Sequence, residues 1–274
     1  MILENSFGKE MMMAKIQCMA KVTEVSVLAE GIVSMWLSAS GVAKSAKPGQ
    51  FISLYCDNSD TLLPRPISIC EIDKEAKRLR LVYRVTGEKT GTKQFSELKA
   101  GDFVPVLGPL GNGFPLDACE KDKTAVLIGG GIGIPPLLEL AKQLPCKTTV
   151  VVGYRNADTF LREELEEAAD RVVIASDDGS IGIKGTVLDA MEAEGVTGDC
   201  IFSCGPTPML RGVKQWAFEK QIPAWISMEE KMACGIGACL ACVCESKEID
   251  SHSKVKNKRI CKDGPVFLST DIEL

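Results

Sequence analysis

Four cysteines near the C-terminus have the types and spacing that iron–sulfur chemistry needs. Cys234, Cys239 and Cys242 follow one another as C-x4-C-x2-C, and Cys261 stands alone downstream. This is the ligand spacing of a 2Fe-2S cluster, which carries single electrons. The small or apolar residues at 235–238 let backbone N–H groups approach inorganic sulfide. The spacing therefore predicts an electron-transfer site.

Two other uses of these thiols stay open from the residues alone. Structural zinc favours two C-x2-C pairs, and only Cys239 and Cys242 are so spaced. Disulfides need an oxidising compartment, and the N-terminal residues contain no continuous apolar region of the kind that a signal peptide has. Cys244 is a further thiol outside the ligand spacing, and we interpret it as a bystander.

Length and composition set the broad class. A chain of 274 residues suits two domains and a small appendage, and 45% hydrophobic residues are typical of a globular protein. A net charge of -5 without long charged blocks disfavours nucleic acid and membrane partners, and no run is long enough for a membrane helix. Twelve cysteines without a leader favour the cytoplasm. We expect the first dozen residues to be a disordered tail.

The elements that must position the cysteines change character along the chain. Between residues 14 and 116, short alternating or β-branched runs are broken by Gly, Pro, Asp and Asn, which predicts an antiparallel β-barrel domain. Between residues 117 and 226, apolar strands alternate with helices, which predicts a doubly wound parallel sheet. Residues 227–274 form the predicted cysteine module. The predicted strands are 21–28, 50–56, 65–72, 79–85 and 102–109 in the barrel, then 124–129, 148–153, 171–175, 199–204 and 224–228.

Two turns of the α/β region are typical of a nucleotide site. The first follows a strand as GGGIGIPP, where glycines allow a pyrophosphate to approach the backbone at a helix start, although a tight connection is the alternative. The second is a Cys-Gly-Pro turn at another strand end, so both should face one crevice. Its cysteine could touch a nicotinamide or simply pack as a small apolar group. The candidate residues are Gly129, Gly130, Gly131, Gly133, Cys204, Gly205 and Pro206.

A barrel strand carries the motif Arg-Pro-Ile-Ser. Arginine offers a planar fork to phosphate oxygens, and serine can hydrogen-bond a flavin edge. Downstream come a Tyr-Arg strand and a Gly-Thr pair that begins a helix able to take a pyrophosphate. The alternative for the tyrosine is a residue that only covers the barrel. The candidate residues are Arg65, Pro66, Ile67, Ser68, Val82, Tyr83, Arg84, Gly91 and Thr92.

The order of these motifs, with LGPLGNGF at 107–114, resembles the ferredoxin-NADP reductase superfamily over nearly the whole chain. The ending MACGIGACLACVC with RICKDGPVF resembles the electron-transfer subunits of class 1B dihydroorotate dehydrogenases. The resemblance implies that the barrel motifs hold FAD, that the two glycine-containing turns admit NAD(H), and that Cys234, Cys239, Cys242 and Cys261 ligate the cluster. It also implies a catalytic partner subunit that carries FMN, in an assembly of two plus two subunits.

The residues leave open what covers the flavin, which nicotinamide cofactor binds and which partner exchanges electrons. Members of the superfamily usually end on an aromatic residue that covers the flavin, whereas this chain continues into the cysteine module. We expect the segment around Met228 and Glu229 to cover the flavin instead. NADH is favoured over NADPH by the resemblance only, because Arg155 could suit a 2′-phosphate. The alternative function is a subunit that exchanges electrons between NAD(P)H and ferredoxin, as in sulfide dehydrogenase or transhydrogenase complexes.

Overall fold

A closed antiparallel barrel forms the N-terminal part of the computed structural model, which describes residues 15–56, 61–251 and 253–274. The predicted tail lies outside the described residues. The barrel elements are β1 Ile16–Ala29, β2 Ile32–Ser38, α1 Ser40–Ser45, β3 Phe51–Leu54, β4 Arg65–Asp73, β5 Arg78–Arg84, α2 Gly91–Ser96 and β6 Phe103–Leu110.

The six barrel strands close in the order β1-β2-β5-β4-β3-β6, with antiparallel pairing throughout. Alternate residues point inward because successive side chains of a strand lie on opposite faces. Met35, Ile52, Leu54, Leu81 and Val106 are fully buried in the interior that results. The predicted barrel is confirmed, and β2 is a strand that the sequence patterns did not single out.

A seven-stranded sheet follows, and six of its strands run parallel in the order β10-β9-β8-β7-β11-β12. Within β7, Ala125 and Leu127 belong to one apolar core, whereas Val126 and Ile128 belong to another on the opposite face. Both faces are therefore covered, as the doubly wound prediction requires. The elements are β7 Thr124–Gly130, a 3-10 helix Gly131–Gly133, α3 Pro135–Gln143, β8 Lys147–Tyr154, α4 Arg162–Ala168, β9 Arg171–Ser176, β10 Ile183–Lys184, α5 Val187–Ala193, β11 Cys200–Cys204, α6 Thr207–Lys220 and β12 Ala224–Ser227.

The C-terminal segment, residues 229–274, adds the seventh strand to this sheet. It contains β13 Val243–Glu245, β14 Asn257–Arg259 and β15 Val266–Leu268. Strands β13 and β14 form a small antiparallel pair, and β15 pairs antiparallel with β12 at the sheet edge. An antiparallel edge strand was not expected from the sequence. The segment also shares a core with the barrel residues Phe51 and Leu110, so it is packed against both neighbours.

None of the described helices is long and apolar enough to cross a lipid bilayer.

Candidate functional site

The loop that carries the cysteines points backbone donors at sulfur. The N–H groups of Ile236 and Ala238 donate to Cys234 Sγ over 3.5 and 3.3 Å. The N–H of Gly237 donates to Cys261 Sγ over 3.1 Å. Hydrogen bonds of this kind stabilise thiolates, which are the form that ligates iron. The approach of these N–H groups to inorganic sulfide stays a prediction.

The four predicted cluster ligands lie in two pairs. The thiols of Cys234 and Cys239 are in hydrogen-bond contact, and so are those of Cys242 and Cys261. Among the described residues, no three His, Cys, Asp or Glu side chains converge on a point where one ion would sit. Two pairs of thiols suit a dinuclear cluster, in which four cysteines serve two irons.

The surroundings of two ligands favour the thiolate. Burial raises the pKa of Cys234, but the N–H of Ile236, the Cys239 thiol and the N–H of Ala238 outweigh it and lower that pKa to about 6. The Cys261 thiol lowers the pKa of Cys242 to about 6 against the opposing effect of burial. Both groups can therefore ionise near neutral pH, which metal binding requires.

Arg259 is a supporting residue that the sequence patterns missed. Its Nη1 donates to the carbonyl of Gly237 over 3.2 Å, and its guanidinium forms ion pairs with Asp263 at 3.1 Å and Asp250 at 3.4 Å. Only 6% of its side chain is exposed, so the charge is held inside the segment. Its place two residues before Cys261 is the signal that could have identified it.

The barrel motifs surround a cavity of about 500 Å³, which we name the barrel cavity. Eight of the nine predicted flavin residues line it, and the ninth, Gly91, lies beside it. A methyl group on Gly91 would come within 3.0 Å of Arg65 Cγ, so this glycine brings the start of α2 against β4. The lining residues from the predicted set are Arg65, Pro66, Ile67, Ser68, Val82, Tyr83, Arg84 and Thr92.

The polar groups of Tyr83 and Arg65 fit the barrel cavity to a polar ligand. The hydroxyl of Tyr83 is buried and has no hydrogen-bond partner within the described part of the chain. A buried hydroxyl without a partner is costly, so a ligand that bonds it would stabilise the site. Arg65 donates from Nη1 to the carbonyl of Leu63 over 2.7 Å, and a guanidinium has further N–H groups that can donate to a phosphate. These residues fit FAD.

The predicted nicotinamide turns line a second cavity of about 520 Å³, which we name the nucleotide cavity. Gly130, Gly131, Gly133, Gly205 and Pro206 all contribute to it. A methyl group on Gly133 would clash with the carbonyl of the residue before Gly205 and lie 2.6 Å from Gly205 Cα. The two turns therefore pack backbone to backbone, which only glycine permits.

Two members of the predicted nucleotide set lie behind the cavity wall. Gly129 packs against Leu137 and Ile134. Cys204 is 1% exposed, and burial, with a smaller contribution from Glu229, raises the pKa of its thiol. The packing alternative for Cys204 describes its position in this structure, and its contact with a nicotinamide stays a prediction.

Residues at the ends of β8 and β9 also reach the nucleotide cavity. Tyr154, Arg155, Asn156 and Asp177 line it, whereas Asp178 is not among its lining residues. Arg155 and Asp177 carry opposite charges, so the lining by itself does not select between a ribose hydroxyl and a 2′-phosphate. The choice between NADH and NADPH stays a prediction.

The two cavities meet. Arg84, Ile132 and Glu229 line both of them. The wall of the barrel cavity continues through residues 228–232, and Cys234 follows two residues later. Met228 and Glu229 thus line the barrel cavity, and the expectation that they cover the flavin stays a prediction. Ile132 was missed because its apolar side chain gives no chemical signal within the glycine turn.

Comparison with known proteins agrees with this arrangement. Residues 229–273 match the family model described as the iron-sulfur cluster binding domain of dihydroorotate dehydrogenase B. The iron–sulfur prediction is thereby confirmed over the zinc and disulfide alternatives.

Curated relatives extend the match to nearly the whole chain. A protein of Listeria monocytogenes serotype 4a (strain HCC23) is 44% identical over 94% of this chain and 100% of its own length. A protein of Geobacillus sp. (strain WCH70) is 41% identical over 90% of this chain and 95% of its own length. Both are named dihydroorotate dehydrogenase B (NAD(+)), electron transfer subunit.

Solved structures agree on the fold. An NADH-dependent reduced ferredoxin-NADP oxidoreductase superposes with a TM-score of 0.82 at 29% identity, over 93% of this chain and 90% of the other. A ferredoxin NADP+ reductase from Neisseria gonorrhoeae gives a TM-score of 0.62 at 17% identity, over 74% of this chain and 91% of the other, and shows the fold alone. From its relatives and its C-terminal domain, the chain belongs to the family of electron transfer subunits of dihydroorotate dehydrogenase B (NAD(+)).

Proposed function

We propose that this chain passes electrons from the FMN of a catalytic partner subunit, where dihydroorotate is oxidised for pyrimidine synthesis, to NAD+. The observation that carries the proposal is the order of three sites. The nucleotide cavity adjoins the barrel cavity at Arg84, Ile132 and Glu229, and the cysteine loop begins where the wall of the barrel cavity ends. A relay needs this succession of neighbouring sites.

The residues divide into three groups by the cofactor that each would hold. We assign these groups to functional units at 14–116, 117–226 and 227–274. When bound, FAD exchanges two electrons with NAD(H) as a hydride and single electrons with a 2Fe-2S cluster. The groups are Arg65, Pro66, Ile67, Ser68, Val82, Tyr83, Arg84, Gly91 and Thr92 for FAD; Gly129, Gly130, Gly131, Gly133, Cys204, Gly205 and Pro206 for NAD(H); and Cys234, Cys239, Cys242 and Cys261 for the cluster.

The protein's own contribution is binding and orientation. Arg65 supplies charge for a phosphate. The buried Tyr83 hydroxyl, which has no partner among the described residues, supplies a donor for a ligand. The glycine turns let a nucleotide approach the backbone at Gly131 and Gly205. We assign no catalytic acid or base, because electron and hydride transfer require neither.

The cysteine loop is where we place the partner. Cys239 is exposed, and so are the neighbouring apolar side chains of Ile236 at 41% and Leu240 at 38%. Cys242 and Cys261 lie beneath them at 2% and 1% exposure. An apolar surface over redox ligands suits a subunit that must come close for electron tunnelling. We propose an FMN-containing partner, a two-plus-two assembly and a cytoplasmic location.

The test is the Cys239→Ser variant, purified together with the partner subunit. We expect NAD+ reduction by dihydroorotate to fall to background, because a cluster ligand is lost. NADH-dependent reduction of an artificial dye at the FAD level should continue. The matched control is Cys244→Ser, a buried thiol of the same segment outside the ligand set, which should keep both activities. Undiminished dihydroorotate-dependent activity in Cys239→Ser would contradict the proposal.

One second candidate has an observation in its favour. The structural match at a TM-score of 0.82 is to an NADH-dependent reduced ferredoxin-NADP oxidoreductase. In that case the partner would be ferredoxin or a ferredoxin-reducing subunit. Copurification distinguishes the two, since the first proposal predicts an FMN-bearing partner and dihydroorotate-dependent reduction of the chain. Reduction by ferredoxin alone would favour the second.

A further inference from the structure

Strand β3 separates the barrel interior from the C-terminal segment. Ile52 and Leu54 point into the barrel core, whereas Phe51 belongs to the core shared with Cys242 and Cys261. Successive side chains of a strand alternate between its faces, so Ser53 lies on the same face as Phe51. The side chain of Ser53 is therefore directed at the cysteine segment.

The hydroxyl of Ser53 is buried beside the cysteine loop. Ser53 is 1% exposed, and its Oγ has no hydrogen-bond partner within the described part of the chain. A methyl group on Gly235 would lie 3.0 Å from this Oγ. Gly235 directly follows the ligand Cys234 and has a φ of +66°. The loop thus approaches the hydroxyl at its first residue after a ligand.

The backbone of Ser53 adjoins the predicted flavin motif. Its register partner on β4 is Pro66, and on β6 it is Leu107. Ser53 therefore stands between the wall of the barrel cavity and the cysteine loop. Ser53 belongs to none of the predicted site sets, because a serine within a short apolar strand forms no recognisable motif.

We propose that the Ser53 hydroxyl donates a hydrogen bond to sulfur of the cluster held by the loop, and so sets the cluster's reduction potential. The inference rests on the proposed function, since it presumes the 2Fe-2S cluster. Ser53 would bond sulfur of the cluster without ligating its iron. A buried hydroxyl is costly without a partner. Ser53 Oγ bonds no cysteine sulfur among the described residues, so the acceptor that we propose is sulfide of the cluster itself.

The direction in which the Ser53 hydroxyl shifts the reduction potential of the cluster follows from charge. Reduction adds one negative charge to the cluster, and a donor to sulfur stabilises that charge. Removal of the hydroxyl should therefore lower the reduction potential of the cluster. The potential of bound FAD should stay unchanged, because Ser53 does not line the barrel cavity.

The test is a redox titration of the wild-type protein and the Ser53→Ala variant, followed by EPR of the reduced cluster. We expect a lower midpoint potential in Ser53→Ala, with the same cluster content and an unchanged flavin potential. The control is Ser34→Ala, another buried barrel serine, whose Oγ accepts from Arg80 Nε over 2.9 Å. Its cluster potential should equal that of the wild type. An unchanged potential in Ser53→Ala overturns the inference.

Ser53→Thr keeps the hydroxyl and is the second variant. A cluster reduction potential in Ser53→Thr equal to that of the wild type supports the inference. If Ser53→Ala fails to assemble a cluster, assembly of the cluster in Ser53→Thr also supports it. A potential as low as that of Ser53→Ala overturns it. If neither variant assembles a cluster, Ser53 has a packing role and the proposal is wrong. Absence of the cluster's EPR signal from the wild type would defeat the proposed function itself.

Discussion

At the scale of single residues, the buried hydroxyl of Tyr83 is the group that points most clearly to a bound ligand. We predict that Tyr83→Phe binds FAD about two- to twelvefold more weakly, as the loss of one hydrogen bond of about 0.5–1.5 kcal/mol implies. The FAD-free protein should be no less stable, since the hydroxyl has no partner within the described residues. Flavin titration and thermal unfolding measure the two effects.

Tyr154→Phe is the matched control for that prediction. The Tyr154 hydroxyl donates to the carbonyl of Phe160 over 2.8 Å, so its removal should cost the FAD-free protein about 1 kcal/mol and leave FAD affinity unchanged. If Tyr83→Phe destabilises the FAD-free protein as much as Tyr154→Phe does and binds FAD normally, the Tyr83 hydroxyl does not serve FAD.

A second prediction at this scale concerns Gly235. A side chain there meets both an unfavourable φ of +66° and the close approach to Ser53. We expect Gly235→Ala to reduce the cluster content of the purified protein, measured as iron and sulfide per chain. Gly31→Ala has an equivalent φ of +67° but open space around it. It should lose about 1–2 kcal/mol of stability from strain and keep its cluster. Equal cluster content in both variants would contradict the close approach.

At the scale of elements, charged groups join the barrel to the α/β sheet. Glu71 on β4 accepts a hydrogen bond from Arg80 on β5 over 2.6 Å and another from Lys142 on α3. Arg80 also reaches Glu164 on α4 at 3.4 Å. Glu71 is 14% exposed at its side chain, so the network lies within the seam between the domains.

This network predicts a dependence of stability on pH. Burial raises the pKa of Glu71, but hydrogen bonds from Lys142 and Arg80 outweigh it and lower that pKa below the ordinary value of 4.5. A group of this kind adds stability that is present above pH 4.5 and is lost as the pH falls through the lowered pKa. Glu71→Gln should therefore unfold at a lower temperature than the wild type near neutral pH, and the gap should close in acid.

The control for the pH effect is Glu75→Gln, in the exposed turn between β4 and β5. Its unfolding temperature should follow that of the wild type at every pH. A gap between Glu71→Gln and the wild type that persists unchanged in strong acid would show that Glu71 does not act through its charge.

Elements with a clear local pattern were predictable from the sequence, and those defined by distant partners were not. The parallel strands β7, β8, β9 and β11 are apolar runs with a turn at each end, and their predicted ranges agree closely with the structure. Strand β2 was missed because both of its faces are largely buried, so its sequence lacks the alternation of apolar and polar residues that marks a half-buried strand. Val33 and Met35 face the barrel core, while Trp36 lies under the guanidinium of Arg78 at 4.6 Å. Strand β15 is three residues long and is defined by β12, some forty residues upstream.

At the scale of the whole molecule, the functional arrangement depends on contacts between distant parts of the sequence. The motifs identified the separate sites, because arginine, glycine and cysteine leave chemical signals at fixed spacings. They did not show that Arg84, Ile132 and Glu229 would line both cavities, or that Ser53 would face Gly235. Those contacts arise only when the barrel, the sheet and the C-terminal segment pack together.

The central claim is that one chain connects a two-electron carrier, NAD(H), to a one-electron carrier, the 2Fe-2S cluster. The most direct measurement is an anaerobic titration of the purified wild-type protein with NADH, followed by visible absorption and EPR. We predict bleaching of both flavin and cluster, with about three electrons taken up per chain, two by FAD and one by the cluster. A titration that ends after two electrons, with no EPR signal from a reduced cluster, would contradict the account.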